Sequence, residues 1–174
     1  LFNNGRISRT NFSDVLRFAL LEKYGGLWID STVFVVGDIP ENAFRLPFYS
    51  AHHPWLSYII SSYKFGIVPH LWNTISYEIL RQYGSFPSYF FVDMVIDILY
   101  EKNEEARELI DAVSLENQDS LYLVDKLYQE ADSSLFDKLI KTNNYFKLSY
   151  KNVTDEGLAN SAPNSWYNFL FNLA

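Results

Sequence analysis

Three charged side chains could do chemistry together. Asp14 and Arg17 stand three apart in a segment with helical apolar spacing, and Asp30 interrupts the apolar run Leu27 to Val36. Residues at i and i+3 share a helix face, so Asp14 and Arg17 can grip one ligand from the same side. A carboxylate inside a buried strand needs a partner, a metal or a ligand. Thr32, two residues beyond Asp30, points the same way if the strand is continuous. An acid and a base on the first turn of a helix, beside an acid at a strand end, suit the binding of hydroxyls and phosphates. Open α/β sheets commonly hold ligands where a helix N-terminus meets a strand's carboxyl end. A plainer reading makes Asp14 a helix cap, Arg17 its surface partner and Asp30 a turn residue, and the spacing allows both.

The elements that must position these groups are legible around them. Asn11 is an N-cap candidate, with Asp14 three residues on giving a capping-box variant. Leu16, Ala19, Leu20 and Lys23 follow at helical spacing, with Val15, Phe18 and Leu21 widening the apolar side. Gly25-Gly26 supplies a residue that can take positive φ and stop the helix. Leu27 to Val36 then reads as one buried strand.

Ser13-Asp14-x-x-Arg17 followed by Gly25-Gly26-x-Trp28-x-Asp30 resembles the core of GT-A type glycosyltransferases that use sugar nucleotides. It is most similar to the bacterial capsular polysaccharide synthesis proteins, relatives of the initiating mannosyltransferases of yeast and the glucosylating domains of large clostridial toxins. Phe146-Lys147-Leu148-Ser149-Tyr150-Lys151 resembles a C-terminal segment of the capsule proteins. The resemblance implies an α/β chain with a partial GT-A fold, a mixed sheet packed by helices. It implies transfer of a hexose, with retention, from a nucleoside diphosphate sugar to a glycan acceptor in capsule or exopolysaccharide synthesis. Asp14 and Arg17 would hold hydroxyls of the donor sugar. Asp30 would touch the ribose or sugar and help hold a Mg²⁺ or Mn²⁺ on the diphosphate. Gly26, Ser31 and Thr32 join the substrate-binding set, as does Trp166, by loose similarity to a Ser-Trp loop that closes over the donor in the toxins. Lys147 and Lys151, on one face of an alternating strand Tyr145 to Lys151, would meet the diphosphate leaving group; a solvated strand face accounts for them equally. Two positions depart from the pattern. Thr32 stands where the metal motif usually has a second Asp, and Phe146 where His is expected. Each change removes a potential ligand for a hard cation.

Elsewhere the sequence offers less. Arg6 and Arg9 could face phosphates or be solvated. His52-His53 lacks further ligands at metal-binding spacing. Asp93 and Asp97 form an i, i+4 carboxylate pair that is ordinarily solvated. Leu56 to Tyr63 reads as a strand, and Phe44 to Ala51 as an edge because of Pro47. Helices are expected from Pro69 to Tyr83, from Ser85 to about Asn103, through Glu101 to Ala131, after Asp132, and from Asn164 onward, with Val153 to Pro163 as loop.

The 174 residues suit a single domain, 1–174, with a sizeable core. A net charge of −7 argues against nucleic acid as the partner. The absence of cysteine excludes thiolate chemistry and fits a cytoplasmic setting. No apolar run is long enough to span a bilayer, which leaves association with the inner face of a membrane open. In the resembling families a nucleotide-binding βα region precedes the Ser-Asp-x-x-Arg helix. No such region precedes it here, so the chain is expected to be the C-terminal part of a catalytic domain. The competing reading is a relative that binds a sugar nucleotide or glycan without transferring it.

Overall fold

The computed structural model describes residues 7–149 and 153–173. Helix α1 spans Arg9–Tyr24, with Ser8 as its N-cap accepting the Asn11 N–H on its side-chain oxygen. The helix therefore starts earlier than the Asn11 cap predicted. Asp14 and Arg17 belong to its second and third turns, so their charges face each other rather than the helix dipole. Gly25 ends the helix at φ 70°, its N–H donating to the Leu21 carbonyl.

The predicted single strand is two. β1 (Gly26–Ile29) and β2 (Val33–Val35) are separated by a turn in which the Val33 N–H donates to the Asp30 carbonyl. Asp, Ser and Thr bond readily to nearby backbone, and Asp30-Ser31-Thr32 breaks the run accordingly. After the short α2 (Asn42–Arg45), β3 (Phe48–Ser50) and β4 (Ile59–Ser62) complete a three-stranded antiparallel sheet, ordered β1-β4-β3. β3 lies at an edge beside Pro47, as the proline requires. Helices α3 (Ile67–Tyr83), α4 (Phe91–Lys102) and α5 (Glu104–Asp111) follow, then α6 (Ser133–Leu139) capped by Asp132. β5 (Tyr145–Lys147) pairs antiparallel with β2, placing Lys147 opposite Val33. α7 (Asp155–Asn160) and α8 (Trp166–Phe171) close the described chain.

The architecture is α/β, but every strand pairing among the described residues is antiparallel, not mixed as expected. The predicted helix through Glu101 to Ala131 ends at Asp111. Beyond it Asn117 takes φ 57°, and bonds such as Ser120 N–H to Asn117 carbonyl and Val124 N–H to Leu121 carbonyl make successive tight turns. Asn, Asp and Ser in Asn117-Gln118-Asp119-Ser120 favour such turns over a helix. The predicted loop after Val153 contains α7, because Thr154 caps it by accepting the Gly157 N–H.

Three apolar clusters hold the fold. In the first, Phe18 of α1 stacks on Trp72 of α3 with ring centroids 4.3 Å apart. The second joins α6, β5 and α8 around Phe136, Phe146 and Trp166. The third packs Tyr49, Ile59 and Tyr145 between the two sheets. Trp28 rests on the first cluster, Ile29 and Val33 on the third, and Leu148 on the second. The three meet beneath Asp30.

Candidate functional site

A cleft of about 590 Å³ opens at that junction. Arg9, Thr10, Ser13, Asp14 and Arg17 of α1 line one wall, Trp28 to Thr32 the floor, and Lys147 to Ser149 the other wall, with Tyr89 and Val124 at the rim. Phe18 and Leu21 anchor the same helix face in the core, which forces Asp14 and Arg17 under cover at 5% and 3% exposure. Two ionisable groups so deeply buried require compensation.

The compensation is one continuous network. The Arg17 guanidinium donates from Nη1 to Asp14 Oδ1 at 3.1 Å and from Nη2 to Asp30 Oδ1 at 2.9 Å. Trp28 Nε1 donates to the same Asp30 oxygen at 2.8 Å. Lys147 Nζ donates to Asp30 Oδ2 at 2.8 Å and to Thr32 Oγ1 at 2.6 Å. Arg17 also lies over the Trp28 ring, its Cζ 5.2 Å from the centroid, and Lys147 over the Tyr58 ring at 5.7 Å. The buried Arg17 Nε has no hydrogen-bond partner among the described residues.

Electrostatics divides the two acids. Burial pushes Asp14 up from 3.8 to about 6, against the pull of Arg17 and with smaller repulsions from Asp30 and Asp93. Burial acts on Asp30 in the same sense, but Arg17, Lys147 and the Trp28 N–H outweigh it and hold this carboxyl below its ordinary value. Asp93, at the start of α4, is raised mainly by burial and then by Asp97. It belongs to the electrical surroundings of the site, not to its lining.

The structure brings Asp14, Arg17, Asp30, Ser31, Thr32 and Lys147 to one cleft. Thr32 reaches Asp30 through the shared ammonium of Lys147, since the turn ends the strand alternation that was expected to align them. Gly26 is placed elsewhere, exposed at the head of β1 with φ 97°; its role there is conformational. Trp166 is also elsewhere, 2% exposed and packed against Phe136, Phe169 and Tyr122, because α8 turns it into the second cluster. Lys151 and Arg6 lie outside the described residues. His53 is satisfied by the Val113 carbonyl at 3.0 Å through Nδ1.

The Gly25-Gly26-x-Trp28-x-Asp30 motif gave Trp28 no role, yet its ring, two residues before Asp30, reaches that carboxylate. Tyr58 and Tyr89 carried no signal. An adjoining apolar recess of about 330 Å³ shares Ser31, Thr32, Leu148 and Ser149 with the cleft.

The donor set suits the polar groups of a sugar better than a resident divalent cation. Mg²⁺ and Mn²⁺ want several free oxygen ligands, and both Asp30 oxygens already accept from nitrogen. Among the described residues no three His, Cys, Asp or Glu side chains gather where they could hold one ion. The metal expected at Asp30 does not fit the site in this form.

An α/β chain with small antiparallel sheets and a charged, carboxylate-floored cleft is thus the class that fold and site define. A family model described as capsular polysaccharide synthesis protein matches residues 1–169, and the chain belongs to that family. No curated protein and no solved structure matches it. Among the described residues no helix is long and apolar enough to cross a membrane.

Proposed function

We propose that this chain is the sugar-binding core of a GT-A type glycosyltransferase, moving a hexose from a nucleoside diphosphate sugar to a glycan acceptor during capsular or exopolysaccharide synthesis. The observation that carries this reading is the buried Asp14–Arg17–Asp30–Lys147 network on the floor of the cleft. Such a network is costly to bury, and its free donor and acceptor capacity faces a space large enough for a sugar nucleotide's reacting end. Family membership points to the same pathway.

In this reading Asp14 and Arg17 hold hydroxyls of the donor hexose. Charge-assisted bonds from fixed groups set orientation and lower the entropic part of the barrier. Asp30 fixes Arg17, Trp28 and Lys147 in one array and touches the donor from the floor. Lys147 stands toward the diphosphate. The bond between C1 of the hexose and the diphosphate oxygen breaks, and its electron pair leaves with the diphosphate. The acceptor hydroxyl oxygen forms the new bond to C1 and gives its proton to the departing diphosphate oxygen. The resembling families retain the anomeric configuration, and retention is assigned here on that ground. Cytoplasmic action at the inner membrane face suits such a pathway. A cation that meets negative charge on the departing diphosphate stabilises the transition state where that charge develops.

The test is a panel of UDP- and GDP-sugars offered with acceptor glycans, following nucleoside diphosphate release and the anomeric linkage of the product. Release with one donor and a retained linkage supports the reading. Tight donor binding without release favours a second one, a sugar-nucleotide-binding relative without transfer. The neutral Thr32 in place of a second acid is the observation in its favour.

A further inference from the structure

We propose that Lys147, rather than a divalent cation, is the positive charge that this site presents to an anionic ligand group, with Asp30 and Thr32 as its holders. The inference rests on the donor-binding reading above and decides how that site meets a diphosphate.

Each oxygen of the Asp30 carboxylate is already engaged by nitrogen. Oδ1 accepts from Arg17 and Trp28, and Oδ2 from Lys147 at 2.8 Å. The other nearby oxygen, Thr32 Oγ1, accepts from the same ammonium at 2.6 Å. A hard cation would have to displace Lys147 and then stand beside the Arg17 guanidinium, like charge against like. Asp14, the other carboxylate of the cleft, is already ion-paired with Arg17 at 3.1 Å.

Lys147 is also held as a fixed group would be. Its backbone N–H donates to the Ser120 carbonyl at 2.7 Å, and the Leu148 N–H to the Thr32 carbonyl at 2.8 Å. The second bond continues the pairing of β2 with β5 and the first ties Lys147 to the turn at Ser120, so the Thr32–Lys147 contact is held from two sides. An ammonium has three protons to donate. Two go to Asp30 and Thr32, leaving one for an acceptor in the cleft that Lys147 lines. Thr32 matters here. A second carboxylate in its place would add negative charge beside an ammonium that Asp30 already pairs, whereas a hydroxyl accepts its hydrogen bond without adding charge.

Two measurements decide it. Electron paramagnetic resonance titration of Mn²⁺ against the protein alone is expected to show no site tighter than about millimolar; a Mn²⁺ site that Asp30→Asn removes would overturn the proposal. Calorimetric binding of UDP and GDP is expected to agree within about twofold between EDTA and Mn²⁺ buffers. It should fall about tenfold or more in Lys147→Ala and recover in Lys147→Arg, as expected for a charged hydrogen bond. Circular dichroism would show that the variants are folded. A tenfold gain with Mn²⁺, or undiminished binding by folded Lys147→Ala, would overturn the proposal while leaving the donor-binding reading intact. Failure of the wild type to bind either diphosphate in any buffer would remove both.

Discussion

Asp14 and Asp30 are both carboxylates under cover, yet one is held protonated more readily than usual and the other less. The difference lies in partners: Asp14 has the Arg17 Nη1 contact alone, whereas Asp30 accepts from Arg17, Trp28 and Lys147. For Asp14, raised from 3.8 to about 6, the folded state holds the proton more tightly than the unfolded chain between those values. Its contribution to stability therefore declines as pH rises through that window, by on the order of 3 kcal/mol. Asp30 works in the opposite sense, adding stability above the ordinary carboxylate range that is lost as pH falls through its lowered value. Urea melts of wild type and Asp14→Asn from pH 4 to 7 should show the decline in the former and its loss in the latter. Donor affinity should have an acid limb near pH 6, where Asp14 loses its ionised acceptor. At this scale the sequence was informative within short range: the i, i+3 spacing of Asp14 and Arg17 is what the structure uses. The Lys147 contact joins residues far apart in the chain; the strand alternation put Lys147 on a face that could meet a diphosphate, but a solvated face accounted for it equally.

Elements place those residues, and Gly25 is a tight joint between α1 and β1. Gly25 has φ +70°, and a Cβ there would stand 2.6 Å from the Lys64 backbone nitrogen, whereas at Gly26, φ +97°, it would meet nothing within 4 Å. Gly25→Ala must distort the α1–β1 junction that sets Asp30 against Arg17. It should cost on the order of 1–3 kcal/mol of strain or more, with Gly26→Ala milder, as thermal melts would record. Trp166→Ala should lower stability by about 3–5 kcal/mol while donor affinity per folded molecule stays unchanged, since this ring fills a core cluster and does not line the cleft. A loss of affinity without loss of stability would return Trp166 to the donor. Helical periodicity located α3 to within two residues and the end of α4 near Asn103, but missed the start of α4, which lies at Phe91, six residues after the expected Ser85, because residues 84–90 form bends and turns. It misled in 114–129, where Leu121, Val124 and Leu127 keep a helical spacing but Asn117, Asp119 and Ser120 divert the backbone bonds into turns. The strand through Asp30 was misread for the same reason, local side-chain acceptors competing with the ladder.

At the scale of the molecule, the cleft takes its walls from α1, the β1–β2 turn and β5, and each wall is rooted in a different apolar cluster. A ligand that bridges them binds only the folded chain, so donor binding should add about 2.7 kcal/mol of stability at a hundredfold excess over Kd, read as a higher melting temperature. That convergence was not visible in the sequence, where the contributing segments are separated by the α3–α6 region. Apolar periodicity reports which face of an element is buried, not which elements share a floor. The central question is whether this floor serves donor chemistry. The most direct measurement is nucleoside diphosphate release from the preferred UDP- or GDP-sugar, in the presence of acceptor, by wild type and by Asp30→Asn shown by circular dichroism to be folded. The expected result is turnover by the wild type reduced at least a hundredfold in the variant, about 3 kcal/mol of lost transition-state stabilisation. Turnover by Asp30→Asn equal to wild type would contradict it.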